Sequence, residues 1–265
     1  MSGTPWAISG VDPSSGAGIF QDLRVFGALG FRGRGVPTAL TIQNLSVVKG
    51  IEPVPEGVFV SMLETLEEEE RPGAIKIGLF PESLGGALRS FLENLPKEIP
   101  RVLDPVFRSG TGCSFWPPAA YREMARSLFP LITLITPNLP EAQELSGWSV
   151  ERFPDDLSLM ARRIHEQYGV PSILIKGGHY QGPGPKTDLL WTTGGERLFL
   201  HPSREIPGVH GGGCTLSSLI AGLLLKNGAP GLDLIVEKSL SLYQQMLGRA
   251  RGESRLVLDP LFVRE

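Results

Sequence analysis

Short apolar runs alternate along this chain with segments whose apolar residues recur at helical spacing. Residues 74–78 and 172–176 are apolar runs with the length of strands, whereas Leu157, Met160 and Ile164 fall on one face of a helix. This alternation predicts βαβ units, and hence an α/β protein whose central, mostly parallel sheet is covered by helices on both faces. Because no linker or break in composition divides the 265 residues, we expect one domain over residues 1–265.

Two segments depart from this alternation and predict smaller β elements. Residues 35–42 predict a strand that delivers Gln43 to its end, and extended chain over residues 46–54 follows it as a small β appendage. Residues 187–200 alternate loosely around Gly194 and Gly195, which predicts a β-hairpin.

Composition excludes several classes of partner. The formal net charge is -3 and no run of Lys or Arg stands out, so we expect no nucleic-acid partner. No apolar run approaches the roughly 20 residues that span a bilayer, and the first residues do not resemble a signal peptide. The two cysteines, Cys113 and Cys214, make no disulfide framework. Together these features predict a cytoplasmic protein without a membrane segment.

A glycine-rich stretch over residues 210–218 runs directly into an apolar segment with helical spacing. Gly211, Gly212 and Gly213 are therefore expected at a helix N-terminus, where free backbone N–H groups and the helix dipole favour an anion. Cys214 enters the same first turn, where the pKa of a thiol can fall well below its free value of about 8.5. These residues indicate chemistry on a phosphate. The alternative, at equal weight, is a structural glycine loop beside an inert cysteine.

Small or polar residues follow the predicted strands where each strand ends. In open parallel sheets the ligand crevice lies outside the carboxyl ends of the strands, so these residues are expected to share one edge. Taken singly, several have a plain alternative as turn formers, because Asp104 precedes Pro105 and Asn138 follows Pro137. The set consists of Gly10, Gln43, Gly78, Asp104, Asn138 and Lys176.

Asn138 and Glu141 lie three residues apart at the start of a predicted helix, so both can reach the same side. Their oxygens suit Mg²⁺, directly or through water, while a helix-capping pair is an equally weighted alternative. Lys176 can neutralise a phosphate as a point charge. His179 and His210, beside glycine-rich loops, are expected to form hydrogen bonds within the loops and not to act as catalysts.

The first strand, loop and helix lack both the G-x-G-x-x-G pattern and the Walker A lysine, so neither phosphate-binding motif is present. Asp22 lies on the first turn of this helix, close to its apolar face. Its carboxylate has two interpretations, a partner of the helix dipole or a polar contact that points into a pocket.

Seven motifs resemble, in the same order, those of the hydroxymethylpyrimidine/phosphomethylpyrimidine kinases of thiamine biosynthesis, a branch of the ribokinase superfamily. The resemblance extends from residue 6 to about residue 225. The motifs occupy residues 9–22, 38–44, 76–79, 103–106, 136–142, 176–179 and 210–218.

The resemblance implies a ribokinase-like three-layer fold with a small β lid that often builds a dimer interface, and hence a homodimer. It also implies that ATP, with Mg²⁺, phosphorylates the hydroxymethyl group of 4-amino-5-hydroxymethyl-2-methylpyrimidine. A second phosphorylation then yields the pyrophosphate for thiamine synthesis.

Residue roles implied by the resemblance fall into three groups. Cys214 would be the base, and the amides of Gly211, Gly212 and Gly213 would hold the transferring phosphoryl group. Asn138, Lys176 and Asp104 would serve the nucleotide, and Glu141 its metal. The pyrimidine pocket would be formed by Gly10, Asp22, Gln43, Leu79 and Val106.

This chain departs from the family pattern at three places. Gly212 occupies a position where a hydroxyl residue is usual, Leu79 one where methionine is frequent, and the loop containing Arg108 is shorter than in relatives. Two alternatives stay open. One is a pyridoxine/pyridoxal kinase, since some members of the superfamily share the Gly-Cys motif, and the other is a pyrimidine-binding sensor that has lost turnover, which Gly212 and the short loop would support.

Overall fold

The computed structural model describes residues 3–108, 114–182, 184–201, 208–228, 231–250 and 256–260. Within them, nine strands form one sheet in the order β3-β2-β1-β4-β5-β6-β7-β8-β9, and two further strands, β10 and β11, pair separately. The strands are β1 (Thr4–Val11), β2 (Arg34–Gln43), β3 (Val48–Pro53), β4 (Pro72–Ile77), β5 (Arg101–Leu103), β6 (Leu134–Ile135), β7 (Ser172–Ile175), β8 (Lys186–Thr192), β9 (Gly195–His201), β10 (Val209–His210) and β11 (Leu256–Val257).

Helices cover both faces of the sheet, which confirms the predicted three-layer α/β architecture. One face carries α2 to α6, and the other carries α1, α7 and α8. The helices are α1 (Gly18–Ala28), α2 (Glu56–Glu69), α3 (Gly85–Glu93), α4 (Pro118–Leu128), α5 (Leu139–Ser146), α6 (Asp156–Tyr168), α7 (Gly212–Asn227) and α8 (Leu232–Arg249).

Alternation along β1 divides the core into its two halves. Trp6 and Ile8 pack into the cluster beneath α2 to α6, whereas Ala7 packs into the cluster beneath α1, α7 and α8. α7 is apolar around most of its circumference, and residues 215–225 are all buried, as expected for a helix enclosed by its neighbours. It packs against α1 and α8 and over β4 and β5, which fixes the position of its first turn.

Six strands run parallel, from β2 through β1, β4, β5, β6 and β7, so their carboxyl ends meet at one edge. The expected hairpin is present as β8 and β9, which pair antiparallel beyond β7. The expected β appendage is β3, which pairs antiparallel with β2. At this end of the sheet Leu40 and Ile42 are 56% and 55% exposed.

Among the described residues, no helix is long and apolar enough to cross a membrane. The short loop after Asp104 is described only in part. Arg108 forms an isolated bridge with Ser114, while residues 109–113, including Cys113, lie outside the described residues.

Candidate active site

The first turn of α7 has the geometry that the glycine-rich stretch predicts. Gly211 is the N-cap residue and has a φ of 72°, a left-handed conformation that favours glycine. A Cβ at this position would also overlap the carbonyl oxygen of Gly16. Only a glycine therefore allows the loop before α1 and the start of α7 to lie against each other.

Gly213 allows an equally close approach on the other side of the turn. A Cβ added there would lie 2.7 Å from Asp104 Oδ2 and 3.2 Å from Lys176 Nζ. Lys176 Nζ donates to Asp104 Oδ1 at 2.8 Å, so the glycine places the start of α7 directly on an ion pair. Burial lowers the pKa of the Lys176 ammonium, but the charges of Asp104 and Glu141 outweigh it and leave this pKa above its ordinary value.

Cys214 lies at the third residue of α7, but its thiol does not have the lowered pKa that its helix position predicts. Burial raises the pKa to about 11, against the opposing effect of the Lys76 charge and a hydrogen bond from the Gly18 backbone. The negative charges of Asp22 and Asp104 raise the thiol pKa further. Desolvation therefore outweighs the helix terminus, and the pKa of this thiol is raised instead of lowered.

A cleft of about 1580 Å³ runs along the carboxyl ends of the strands and contains the start of α7. Its walls bring together the predicted site residues except Gly78 and Asp22, so five of the six residues predicted at strand ends share one edge. The predicted site residues in its walls are Gly10, Gln43, Leu79, Asp104, Val106, Asn138, Glu141, Lys176, Gly211, Gly212, Gly213 and Cys214.

Asp22 is fully buried and does not line the cleft, in contrast to the expectation that it forms part of the pocket wall. Its side chain is fully buried, with Oδ2 accepting from Lys76 Nζ at 2.8 Å and Oδ1 from Ser218 Oγ at 2.8 Å. Both carboxylate oxygens therefore have protein partners. Sequence periodicity did not predict the ion pair of Lys76 with Asp22, because a lysine within an apolar strand does not indicate which helix will supply its counterion.

Asn138 and Glu141 form the capping box that was one of their two interpretations. Asn138 Oδ1 accepts from the Glu141 backbone at 2.9 Å, and Glu141 Oε2 accepts from the Asn138 backbone at 2.8 Å. The other carboxylate oxygen of Glu141 accepts from the Phe107 backbone. Burial raises the pKa of Glu141 to about 7, with Lys176 opposing and Asp104 adding to the effect. The carboxylate thus lies at the cleft in an environment that favours a nearby cation.

His210 forms a hydrogen bond, but its partner lies in a different loop, the one after β1. Its Nε2 lies 2.7 Å from Asp12 Oδ2, and Asp12 Oδ1 accepts from Ser14 Oγ at 2.7 Å. Burial raises the pKa of the Asp12 carboxyl, but the bonds from His210 and Ser14 outweigh it and lower this pKa below its ordinary value. These contacts connect the loop after β1 to the residue that precedes the glycines.

Sequence reasoning missed several residues at the far end of the cleft. His201 Nε2 lies 2.9 Å from Asp188 Oδ2, and the Asp188 Oδ1 atom accepts from the Gly177 backbone at 2.8 Å. Tyr243 of α8 lies against the first turn of α7, where a Cβ at Gly212 would approach its Oη to 2.6 Å. The sequence placed Asp188 in the predicted hairpin. Nothing in the local pattern indicated that this part of the hairpin would line the cleft.

The sheet lies between two layers of helices, and at its carboxyl edge a phosphate-favouring helix start lies beside the partly buried Lys176–Asp104 ion pair. This combination is that of a ribokinase-like small-molecule kinase. The family model for phosphomethylpyrimidine kinase matches residues 12–232, and the chain belongs to this family.

Two relatives and two solved structures illustrate the similarity. The hydroxymethylpyrimidine/phosphomethylpyrimidine kinase of Staphylococcus aureus is 32% identical, over 92% of this chain and 90% of the relative. The thiamine biosynthesis bifunctional protein ThiED of Geobacter sulfurreducens is 32% identical, over 99% of this chain and 54% of that protein.

A crystal structure of phosphomethylpyrimidine kinase from Clostridium difficile superposes with a TM-score of 0.79 at 30% identity, covering 93% of this chain and 100% of the other. Pyridoxal kinase from S. aureus, in complex with AMP-PCP and pyridoxal, superposes with a TM-score of 0.85 over 98% of this chain and 94% of the other. At 24% identity this second similarity shows the fold alone. The chain is a kinase by family.

Proposed function

We propose that this protein transfers the γ-phosphoryl group of ATP to 4-amino-5-hydroxymethyl-2-methylpyrimidine, and a second phosphoryl group to the resulting monophosphate, for thiamine synthesis. One observation carries the proposal. The start of α7 lies in the same cleft as an ion pair suited to a nucleotide phosphate and a small pocket suited to a ring. The relatives named for this activity support it.

The acceptor side of the cleft has the dimensions and polarity for a small heterocycle. Gly10 has no side chain, and a Cβ there would lie 3.2 Å from Leu79 Cδ2, so glycine keeps space beside this leucine. Gln43 contributes a carboxamide that can donate to and accept from the edge of a pyrimidine. Val106 adds an apolar wall. We assign ring recognition to these four residues.

The donor side of the cleft offers positive charge and backbone donors. Lys176, paired with Asp104, presents a partly buried ammonium beside Gly213. The amides of Gly211, Gly212 and Gly213 begin α7 and can donate to the transferring phosphoryl group. Asn138 completes our assignment for the nucleotide. ATP as the phosphoryl donor is supported by the ATP analogue in the S. aureus pyridoxal kinase.

Glu141 fits a Mg²⁺ ion that arrives with the nucleotide. The described residues contain no group of three or more metal-binding side chains. Mg²⁺ commonly binds through one or two carboxylates together with substrate phosphates and water, so one buried carboxylate suffices. We assign the metal to Glu141, because its carboxylate lines the cleft near the Lys176–Asp104 pair proposed for the nucleotide. When bound, the ion would neutralise charge on the phosphates.

In the proposed reaction, the residues of the cleft mainly position groups and stabilise charge. The acceptor hydroxyl oxygen attacks the γ-phosphorus while the glycine amides and Lys176 stabilise the equatorial oxygens. The Cys214 thiol first loses its own proton to solvent, and the hydroxyl proton then passes to the thiolate Sγ. Because the thiol pKa is high, a proton that reaches the thiolate stays on it until the product leaves.

Product analysis tests the proposed function directly. Purified protein incubated with Mg-ATP and the pyrimidine should form the monophosphate and then the pyrophosphate, resolved by chromatography and mass spectrometry. Parallel incubation with pyridoxal tests the pyridoxal kinase alternative. Pyrimidine binding without phosphorylated product from either substrate would favour the sensor alternative and overturn the proposal.

A single ribokinase-like domain over residues 1–265 remains a prediction, as does a homodimer. Support for the dimer comes from the end of the sheet where β3 pairs with β2 and where Leu40 and Ile42 are more than half exposed. A second copy of the chain would remove this apolar surface from water.

A further inference from the structure

A fully buried ion pair joins β4 to α1 and contacts α7 through Ser218. Lys76 and Asp22 are each completely buried and lie 2.8 Å apart. Replacing such a pair by neutral residues of similar volume is often neutral or stabilising, so stability alone is a weak reason for its presence. The surroundings of Lys76 indicate another role.

The Lys76 ammonium points towards the carboxyl end of β4, where the cleft begins. A Cβ added at Gly78 would lie 2.6 Å from Lys76 Nζ, and it would also overlap Ser9 Oγ. Glycine at position 78 therefore lets the ammonium occupy the space beside the residue that follows β4. Because Lys76 lies on a central strand between β1 and β5, this charge has a fixed position.

Asp22 and Ser218 connect this charge to the helix that bears Cys214. Ser218 Oγ donates to Asp22 Oδ1 at 2.8 Å, and Ser218 follows Cys214 by four residues, one turn along α7. The positions of Lys76, Asp22 and the first turns of α7 are thereby coupled. Burial lowers the pKa of Lys76, but Asp22 and Cys214 outweigh it, so this pKa lies above its ordinary value and the ammonium stays charged.

Four charged groups act on Cys214 from the elements packed around it. Lys76 from β4 favours the thiolate, whereas Asp22 from α1 and Asp104 after β5 oppose it. Lys176, after β7, also interacts electrostatically with the thiol. Among the charges that shift the thiol pKa, Lys76 has the largest effect.

We propose that Lys76 is a positioning residue for phosphoryl transfer: its buried ammonium, held by Asp22, favours the thiolate of Cys214 that receives the acceptor proton. This inference rests on the proposed function, in which Cys214 accepts that proton. The new oxygen–phosphorus bond forms as the bond between the γ-phosphorus and the leaving oxygen of ADP breaks. The hydroxyl proton moves to Cys214 Sγ, and the thiol later releases it to solvent.

The test measures thiolate formation in the free protein, without relying on turnover. In a Cys113→Ser background Cys214 is the remaining thiol, and its alkylation rate by iodoacetamide between pH 6 and 9 is proportional to the thiolate fraction. Asp22→Asn removes a charge that opposes the thiolate, so we expect alkylation about tenfold faster at each pH. Lys76→Met combined with Asp22→Asn leaves no buried charge unpaired, and we expect alkylation severalfold slower than in the parent.

Ser218→Ala is the matched control, because it removes a hydrogen bond to Asp22 without changing any charge. Its alkylation rate should stay within about twofold of the parent. If the pair has only a structural role, the alkylation rate of Cys214 should change in the same direction in all three variants, and that result would overturn the proposal. So would an unchanged or slower rate in Asp22→Asn, whether or not the double variant folds.

Kinase assays then connect thiol reactivity with catalysis. The rising limb of kcat/KM against pH should move with the alkylation profile, to lower pH in Asp22→Asn and to higher pH in the double variant. If alkylation shifts as expected while Cys214→Ala keeps its activity, the proton-acceptor role fails and the electrostatic effect of Lys76 stands. If alkylation does not shift, the inference about Lys76 fails whatever the kinase activity.

Discussion

Cys214 combines two properties that usually exclude each other, a place at a helix N-terminus and a raised pKa. The helix dipole and the Lys76 charge favour the thiolate, but burial in the first turn of α7 outweighs them. A thiol of this kind is a poor nucleophile at neutral pH and a strong acceptor once it is ionised. The strong basicity of the ionised thiol suits a reaction with a loose transition state, in which the hydroxyl proton moves late.

Removing the thiol should therefore lower turnover more than binding. We expect Cys214→Ala to fold and to bind the pyrimidine, with kcat reduced by about 10²–10⁴-fold, the usual contribution of a general base. A coupled ATP assay gives kcat, and calorimetry gives the pyrimidine Kd. Turnover within a few fold of the parent would remove Cys214 from the role of proton acceptor.

A second residue-scale prediction concerns Asp12, whose pKa is lowered by His210 and Ser14 despite burial. A carboxyl with a depressed pKa in the folded protein stabilises it above the unfolded value and loses this contribution as pH falls through the folded value. We expect Asp12→Asn to lower the free energy of unfolding by about 1–3 kcal/mol at pH 7. The difference from the parent should shrink as pH falls below about 4.

Urea denaturation at a series of pH values measures this difference. Ser14→Ala is the matched variant, because it removes one donor to Asp12 and keeps the contact with His210. Ser14→Ala should lower the free energy of unfolding at pH 7 by less than Asp12→Asn does. Equal losses for Asp12→Asn at pH 7 and pH 3 would contradict an ionised Asp12.

At the scale of elements, the start of α7 depends on contacts that the helix cannot make alone. Gly211 faces the loop before α1, Gly212 faces Tyr243 of α8, and Gly213 faces Asp104 after β5. Each glycine thus allows a different neighbour to approach. The anion-binding geometry arises because three separate elements converge on one helix terminus.

Gly211 offers a direct test of this convergence. Gly211→Ala adds a Cβ that overlaps the Gly16 carbonyl, in addition to the cost of a left-handed conformation for alanine. We expect a loss of about 3 kcal/mol or more in the free energy of unfolding, or a displaced helix start and little kinase activity.

Gly147→Ala is the control, because Gly147 has a φ of 63° and open space where its Cβ would lie. It carries the conformational cost alone, about 1–2 kcal/mol. Thermal melts and urea midpoints compare the two variants. Equal destabilisation would show that the approach of Gly16 adds nothing.

At the scale of the whole molecule, the sheet has two different ends. One ends in the antiparallel pair β8 and β9, and the other in β2 and β3, where Leu40 and Ile42 expose more than half of their surface. Both residues lie on the same face of β2, since they are two residues apart. This face is the surface on which the predicted homodimer depends.

Ile42→Glu should disrupt the homodimer, because it places a charge within an apolar contact. Light scattering coupled to size exclusion should give twice the chain mass for the parent and the single chain mass for the variant. Leu200→Glu is the control, since Leu200 is 67% exposed at the opposite end of the sheet. A parent protein that elutes as a monomer, or loss of the dimer in the control alone, would contradict this interface.

Much of this molecule could be read from local pattern. The alternation of apolar runs and helical faces predicted the three layers, because strand and helix periods are imposed by burial on one or both faces. The strand-end rule predicted that Gln43, Asp104 and Lys176 would share a cleft, because parallel strands deliver their carboxyl ends to one edge. The glycines before Cys214 predicted the helix start for the same local reason.

Tertiary structure decided what depends on neighbours distant in sequence. The buried place of Asp22 follows from Lys76 and Ser218, which lie 54 and 196 residues away along the chain. The raised pKa of Cys214 follows from desolvation by the elements around α7, a quantity that no local pattern contains. Sequence by itself therefore determined that strand-end residues such as Gln43, Asp104 and Lys176 reach the cleft. Packing determined the charge states of the groups around it, because the cost of a buried charge is set by everything that surrounds it.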